Sequence, residues 1–246
     1  MQDQNLIVHN LNERRTTRDG AEADAEIYDR IYRAIVEQRL PPGTKLGEET
    51  LCEVFHVSRT RIRRVLLSLS NKNIVELRPN RGAFVARPTA KEARHVFEAR
   101  RSIEATIIRR AAERMAPGQA RELRDLVTRE RRAQDNDERR PAISLSGDFH
   151  LRLAMISGNL VLKGFLEELV SRSSLIIGLY GSAHEPNCSH DEHGDIVEAL
   201  ARGDGEEACR LMELHLVHIE RGLRLGDGGS GQVDLKAIFA EDDIAG

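Results

Sequence analysis

The chain has 246 residues, of which 40% are hydrophobic and 31% charged, with a formal net charge of −3. This composition is normal for a globular protein and argues against a disordered chain. No apolar run reaches the ~20 residues needed to span a bilayer, and the first residues lack the apolar core of an export signal. Three scattered cysteines without a CxxC pair exclude a disulfide framework, so we expect a protein of the reducing cytoplasm.

Positive charge is concentrated in one short stretch of the chain. Between Arg59 and Arg87 there are eight Lys or Arg residues and one acid, Glu76, although the whole chain is negative. The segment 183–246, by contrast, holds fifteen acids and five bases. A localised basic stretch in an otherwise acidic chain favours a nucleic-acid-binding segment.

The first 88 residues have the pattern of a winged helix-turn-helix. Residues 1–20 lack periodicity and are expected to form a flexible arm, followed by a DNA-binding domain at 21–88. Helical apolar spacing from Asp24 to Leu40 ends at the following Pro-Pro-Gly, and a second helix is predicted at 48–55. Ser58 is the expected N-cap of a third helix. Its predicted buried stripe is Ile62, Val65, Leu66 and Leu69. Two short strands around a Pro-Asn-Arg-Gly tip then predict a β-hairpin wing.

The stretch LGEETLCEVFHVSRTRIRRVLLSLSNKNIVELRPNRGAFV resembles the DNA-binding domain of GntR-type bacterial transcription regulators. The resemblance implies that the VSR segment opens the recognition helix and that the wing tip enters the minor groove. It assigns Arg59, Thr60 and Arg63 to base contacts and Arg81 with Gly82 to the wing tip. Arg61 and Arg64 depart from the family pattern, and these two extra arginines should strengthen phosphate binding.

This interpretation depends on two physical conditions. The apolar stripe of the third helix must be buried, and the arginines at 59 to 64 must face outward without folding against acids of the protein. The alternative for an isolated charge run is a merely solvated helix face. The combination of turn, stripe and wing favours DNA binding.

Beyond Pro88 the periodicity is helical throughout, which predicts an antiparallel all-α bundle of six or seven helices at 89–228. A C-terminal tail of undetermined structure occupies 229–246. The fold class is therefore mainly α, with a winged helix-turn-helix of three helices and a small hairpin ahead of the bundle.

Three histidines, His150, His193 and His215, lie near the apolar faces of three separate predicted helices. Converging imidazoles would suit a divalent metal, with zinc first and nickel or manganese as alternatives. No two of them share the HxxxH spacing that would place both on one helix face. From spacing alone, structural or surface histidines remain the competing interpretation.

The segments FEARRSIE, GDFHLRLAMISGN, EHGDIVEAL and LMELHLVHIERGL resemble the FCD effector domain of FadR-like GntR regulators. The resemblance implies that an acid and the three histidines hold a metal in a small-molecule cavity. The acid position is Ser146 here, and Asp148 would join only through an irregular helix start. Arg100, in an R-x-x-x-E motif, would clamp an effector carboxylate. The alternative is a surface ion pair between Arg100 and Glu104, one helical turn later. Two further candidate effector-binding residues are Asn159 and Arg172.

Together these features predict a homodimeric transcription regulator that binds a palindromic double-stranded DNA operator and responds to a small, carboxylate-containing metabolite. The alternative from another functional class is a metal-dependent hydrolase with an appended basic docking domain. The sequence has no HExxH, nucleophile elbow, P-loop or dinucleotide-binding motif, so we predict that the protein is not an enzyme.

Overall fold

The structure is a computed structural model and describes residues 22–181, 191–225 and 234–240; the predicted N-terminal arm at 1–20 lies outside these ranges. The N-terminal part contains three helices and three short strands. The helices are α1 (22–36), α2 (Glu48–Phe55) and α3 (Arg59–Ser70). The strands are β1 (Lys45–Leu46), β2 (Val75–Arg78) and β3 (Gly82–Val85). This arrangement confirms the predicted winged helix-turn-helix.

The sheet has one more strand than the predicted hairpin. β2 and β3 pair antiparallel, and β1 pairs with the other edge of β3, which gives the order β1-β3-β2. A two-residue strand between a Pro-Pro-Gly turn and a helix is too short to show alternation in the sequence. The third strand therefore escaped prediction.

The predicted stripe of α3 forms the centre of the winged domain's core. Ile62, Val65, Leu66 and Leu69 are each at most 2% exposed. They pack with Ile31 and Ile35 of α1 and with the inner face of the sheet. Ser58 occupies the expected N-cap position, but its side chain makes no capping hydrogen bond. Apolar burial, rather than this cap, therefore fixes the orientation of α3.

The rest of the chain is a helical bundle. Its helices are α4 (Ala90–Arg114), α5 (Pro117–Asp135), α6 (Arg139–Ile156), α7 (Leu160–Tyr180), α8 (Glu192–Ala201) and α9 (Gly205–Arg221). Pro117 begins α5, and Pro141 lies in the first turn of α6. Proline is tolerated there because the first-turn N–H groups have no partner within the helix. Among the described residues, no helix is both long enough and apolar enough to cross a membrane.

Helix α7 lies between the bundle and the winged domain. Tyr32 of α1 shares a 2.7 Å hydrogen bond with Ser171. Beyond α3, the Asn73 side chain donates to Glu168 at 2.8 Å. Leu175 of α7 belongs to the same apolar cluster as the core of the winged domain. The two parts therefore share a packed interface.

A short C-terminal helix, α10 (Leu235–Ala240), packs against α2 of the winged domain. Phe239 is fully buried, and its ring centroid lies 5.1 Å from that of Phe55. Arg30 of α1 donates a 3.0 Å hydrogen bond to the carbonyl oxygen of Phe239, and Arg39 donates to the preceding carbonyl at 3.2 Å. Helix α10 thus completes the core of the N-terminal winged domain.

Replacing Phe239 by Ala should destabilise the winged domain by about 3 kcal/mol, because a fully buried aromatic ring would leave a cavity beside Phe55. Hydrogen–deuterium exchange of α2 and α3 in the full-length protein would show faster exchange. The control is Lys236→Ala, which removes only an exposed ion pair with Glu53. Unchanged exchange in Phe239→Ala would show that α10 does not stabilise this domain.

Candidate DNA interface and metal centre

The exposed face of α3 carries the predicted DNA-contacting residues. Arg59 and Arg63 are four residues apart, which places them about 40° apart around the helix axis. Their side chains are 59% and 65% exposed, and Thr60 between them is also exposed. The buried stripe on the opposite side turns this face outward. The first of the two conditions, burial of the apolar stripe of α3, is therefore met.

The second condition fails, because each arginine of α3 lies against a carboxylate of the protein. Arg63 Nε contacts both carboxylate oxygens of Glu48, at 3.0 and 2.9 Å. The remaining three form ion pairs: Arg59 with Glu49 at 3.6 Å, Arg61 with Asp24 at 2.9 Å and Arg64 with Asp24 at 3.0 Å. The acids come from α1 and from the first turn of α2. Counting charges along the sequence could not show that folding brings these acids close to α3.

The expectation of free arginines was wrong, but these ion pairs do not block a DNA interface. Exposed ion pairs typically contribute only about 0–1 kcal/mol, and they exchange readily for other partners. Arg61 differs from Arg59 and Arg63, since it is turned toward α1 and its side chain is only 27% exposed. The structure therefore brings Arg59, Thr60 and Arg63 together on one face and places Arg61 on its flank.

The wing tip projects beside this face. Gly82 has φ +92°, a conformation that other residues adopt only with strain, and a Cβ there would meet no atom within 4 Å. Arg81 next to it is exposed. Arg78 lies over the ring of Phe84 at 4.4 Å and bonds Glu76, which stiffens the base of the wing. Between the wing and α3 lies a groove of about 660 Å³.

The three predicted histidines converge in the core of the bundle. His150, His193 and His215 come from α6, α8 and α9, and each is at most 5% exposed. They offer ligand atoms that all lie within 4.8 Å of one another. The Nε2 atoms of His193 and His215 are 3.1 Å apart. Phe149 stacks on the His193 ring at 4.1 Å and helps to hold its plane.

A carboxylate holds the outer nitrogen, Nδ1, of each of these imidazoles. Glu104 of α4 lies 2.5 Å from His150 Nδ1, and Glu130 of α5 lies 2.7 Å from His193 Nδ1. Glu192 of α8 lies 2.8 Å from His215 Nδ1. An Nδ1–H donated to a carboxylate leaves Nε2 unprotonated in the neutral ring. The three Nε2 atoms are therefore available as ligands.

Burial keeps two of these rings neutral. It lowers the pKa of His150 to about 4, against the opposing effect of Glu104. Burial and the neighbouring His193 lower the pKa of His215 to about 3. Burial alone would raise the pKa of Glu104, but Arg100 and His150 outweigh it, so this pKa falls to about 2. The centre thus combines neutral imidazoles with an ionised carboxylate.

Arg100 extends the same network by one residue. Its side chain is 3% exposed, and Nε donates to Glu104 at 2.7 Å. Its Nη2 is buried without a hydrogen-bond partner in the described part of the chain. A buried donor of this kind is costly unless a ligand or water satisfies it. Arg100 is therefore not the surface residue that a simple i,i+4 pair suggested.

Three other candidate residues do not join this cluster. Asp148 is exposed and lines a surface groove with Arg129 and Lys163. Because α6 is regular from Arg139 onward, the irregular helix start that Asp148 required is absent. Asn159 caps α7, and its Oδ1 accepts from two backbone N–H groups at 3.1 Å.

Arg172 lies at the other end of the bundle. It pairs with Glu168 at 3.6 Å and interacts electrostatically with Glu92. Glu92 precedes Glu104 by twelve residues of the continuous helix α4, a distance of about 18 Å along its axis. This position is unsuitable for contact with a molecule bound at the histidines.

Sequence reasoning missed the three carboxylates that hold the imidazoles. The available signal was Glu130, an acid in register with the buried Leu123, Leu126 and Val127 of α5. A buried acid needs a partner, and a histidine on another helix is a suitable one. Glu192 gave no such signal, since it lies in the first turn of its helix, where acids are common for reasons of helix polarity.

Comparison with known proteins identifies both parts of the chain. Residues 23–85 match the model of the family "Bacterial regulatory proteins, gntR family". Residues 95–218, half of the chain, match the FCD domain model. The basic winged part and the histidine-containing part thus correspond to two separately recognised units.

Curated relatives include several transcription regulators. The HTH-type transcriptional repressor RspR of Escherichia coli is 27% identical over 81% of this chain and 88% of its own length. The HTH-type transcriptional regulator LutR of Bacillus subtilis is 25% identical over 74% of this chain and 92% of its own. The hydrolase alternative finds no support among these regulators.

Solved structures agree on the fold. E. coli McbR/YncC has a TM-score of 0.72 at 19% identity, covering 79% of this chain and 93% of its own. A putative GntR regulator from Rhodococcus has a TM-score of 0.70 at 21% identity, covering 80% and 95%. The chain therefore belongs to the gntR family of bacterial DNA-binding transcription regulators and carries an FCD effector-binding domain.

Proposed function

We propose that this regulator binds its operator as a homodimer in the bacterial cytoplasm and responds to a small carboxylate that contacts a divalent metal and Arg100. The working units are the winged domain at 21–88 and the helical domain at 89–228. The observation that carries the proposal is the group of three buried imidazoles, each held at Nδ1 by a carboxylate, beside a buried guanidinium.

The donor set fits a divalent metal such as zinc. Two nitrogen ligands on a tetrahedral zinc at about 2.05 Å would lie about 3.3 Å apart, and the Nε2 atoms of His193 and His215 are separated by 3.1 Å. Metal-bound histidines commonly donate their other N–H to a carboxylate, as all three do here. Three protein ligands leave a position for an oxygen of water or of the effector. Nickel and manganese remain the alternatives to zinc.

The charge around the imidazoles also favours a cation. Glu104 and Glu130 are buried beside them, and Arg100 is the one buried arginine among the described residues. Buried carboxylates without enough positive charge are strongly destabilising. A divalent ion at the Nε2 atoms would neutralise the excess negative charge, with the carboxylates acting through the imidazole rings.

An effector carboxylate fits this environment better than a neutral or cationic ligand. Bound metal supplies a Lewis acid for one carboxylate oxygen. Arg100 is held at Nε by Glu104, so its buried Nη2 can donate to a second anionic oxygen. Glu104 also holds His150, so the same carboxylate positions both Arg100 and one of the proposed metal ligands.

At the other end, the proposed operator contacts are Arg59, Thr60 and Arg63 to base edges and Arg81 with Gly82 at the wing, with Arg61 placed for backbone phosphates. Two recognition helices of a dimer can enter successive major grooves of a palindromic site. Effector binding would alter the relative positions of the two winged domains and hence operator affinity. Helix α7, which contacts both domains, is the physical connection.

Zinc should stabilise the protein through the three histidines. At a free concentration about 100-fold above Kd, we expect stabilisation by about 2.7 kcal/mol, seen as a higher Tm. His215→Ala should abolish both the Tm increase and stoichiometric zinc in elemental analysis. The control is His218→Ala, because this half-exposed residue shares the Glu192 carboxylate but lies outside the triad. An equal zinc response in His215→Ala would remove the metal centre from the proposal.

Arg100→Lys should abolish the response to carboxylates. A lysine keeps the charge beside Glu104 but lacks the planar fork of donors. A thermal-shift screen of small mono-, di- and hydroxycarboxylic acids on the zinc-loaded protein should give at least one ligand for the wild type, and the variant should lose that shift. Arg101→Lys, at a partly exposed pair with Glu220, is the control and should keep it. A full shift in Arg100→Lys would contradict the clamp.

Arg59→Ala should weaken operator binding by about 1–3 kcal/mol if Arg59 makes a bidentate guanine contact. Fluorescence anisotropy with a duplex selected from a random pool by the wild-type protein measures this loss. Arg64→Ala provides the comparison, since the proposed base contacts do not include Arg64, whose side chain pairs with Asp24 of α1. It should reduce affinity for all duplexes alike. Unchanged affinity and sequence preference in Arg59→Ala would exclude Arg59 from base recognition.

A further inference from the structure

The contact between Glu48 and Arg63 differs in geometry from the other ion pairs of α3. Arg63 uses only Nε, whose single N–H is shared between both carboxylate oxygens of Glu48, at 3.0 and 2.9 Å. Within the described part of the chain, its two Nη amino groups make no hydrogen bond. The inner edge of the guanidinium is therefore held, and the outer edge, with both Nη groups, remains available.

Glu48 is well anchored for this contact. It is the first residue of α2, where the helix N-terminus favours a negative charge. α2 is fixed in the core through Leu51, which is fully buried. The Glu48 side chain is 29% exposed and lines the groove between α3 and the wing. A partly sheltered carboxylate on a fixed helix can restrict a long, exposed arginine.

The neighbouring pairs lack this arrangement. Arg59 meets Glu49 through an Nη atom at 3.6 Å, too long for a hydrogen bond, and Glu49 is 79% exposed. Arg61 Nε and Arg64 Nη2 both lie against the single carboxylate of Asp24 in α1, at 2.9 and 3.0 Å. Arg61 also meets its acid through Nε, but it shares Asp24 with Arg64 and its side chain is only 27% exposed. Among the described arginines of α3, Arg63 is therefore the one that is held at Nε and is also largely exposed, at 65%.

We infer that Glu48 is a positioning residue for DNA recognition: it fixes Arg63 through Nε so that both Nη groups face the O6 and N7 acceptors of a guanine. Arginine reads guanine through such a two-pronged contact in the major groove. Fixing the side chain before binding reduces the conformational entropy lost in the complex. The Glu48 charge also disfavours a nearby phosphate, which lowers affinity for non-specific DNA.

A positioning role for Glu48 and mere competition of Glu48 with DNA for Arg63 predict different effects on base preference. If Glu48 only competes with DNA for Arg63, its removal should strengthen binding to every duplex and leave base preference unchanged. If Glu48 positions Arg63, its removal should reduce the preference for guanine at one position of each half-site. The inference rests on the proposed base contact of Arg63, so that contact is tested separately.

The experiment selects duplexes from a randomised double-stranded pool with full-length protein and sequences the bound fraction. The variants are Arg63→Ala, Glu48→Ala and Glu48→Asp, with Glu49→Ala as the matched control on the same helix turn. Glu48→Asp keeps the charge but withdraws the carboxylate by about 1.5 Å, the length of one carbon–carbon bond.

We expect Arg63→Ala, Glu48→Ala and Glu48→Asp to lose guanine preference at the same position, by about tenfold or more. Glu49→Ala should keep it. Glu48→Asp should bind random duplex as the wild type does, whereas Glu48→Ala should bind it more tightly. A fold defect in Glu48→Ala does not prevent the test, because Glu48→Asp retains the helix-terminal charge and isolates the reach of the carboxylate.

Two results would overturn the inference. Wild-type guanine preference in Glu48→Asp would show that the carboxylate does not position Arg63, even if Arg63→Ala loses that preference. Wild-type preference in Arg63→Ala would remove the base contact itself, and the role of Glu48 with it.

Discussion

The helical domain is organised by the requirement that every buried carboxylate meet a nitrogen donor. An unpaired buried charge costs several kcal/mol, so such groups constrain the packing around them. Here the buried Glu104 joins α4 to α6 and the buried Glu130 joins α5 to α8, while the partly exposed Glu192 joins α8 to α9, each through one imidazole. Five helices are thereby held in a specific register. Apolar packing alone tolerates sliding more readily, because it lacks directional contacts.

The same contacts connect the three histidines to the rest of the fold. Anything that draws the three Nε2 atoms together also acts on the carboxylates behind them and on the helices that carry these acids. α4 packs against α7 in an apolar cluster that includes Phe97 and Ile176. α7 in turn contacts the winged domain through Ser171 and Glu168. Packed side chains thus form a continuous physical route from the three histidines to the DNA-binding end.

Local patterns predicted much of this architecture. The stripe of α3 and the three histidines were found because helical spacing determines which side of a helix faces the core. Glu104, Glu130 and Glu192 were not recognised as partners of the histidines, because each pair joins different helices and sequence spacing does not encode tertiary distance. Asn159 was ambiguous for a related reason: a residue at a helix start suits a cap and a pocket equally well until its neighbours are known, and the structure shows it as the cap of α7. The six residues of α10 were too few to show a period.

The ion pairs of α3 show why charge counting misjudged the DNA-binding face. The count along the chain gave a strongly basic stretch, but folding brings Asp24, Glu48 and Glu49 beside it. All four pairs are open to solvent on at least one side, so they are weaker than a fully buried pair and are screened by salt. The buried pair of Arg100 with Glu104 is 3% and 2% exposed, and it cannot exchange partners without leaving a charge unpaired.

Pairs between a carboxylate and a nitrogen donor therefore have two different roles in this protein, and the degree of burial determines which role each pair has. In the helical domain, carboxylates bind imidazoles and a guanidinium permanently and fix the structure. At the surface of α3, carboxylates of α1 and α2 pair with guanidinium groups that remain open to solvent, so a phosphate can replace a carboxylate and a guanine can complete the arrangement. A basic helix whose arginines are already partly neutralised attracts random DNA less strongly than its formal charge suggests. The protein would therefore distinguish its operator from other DNA more strongly, because only a duplex with the right base edges offers these guanidinium groups new hydrogen-bond partners.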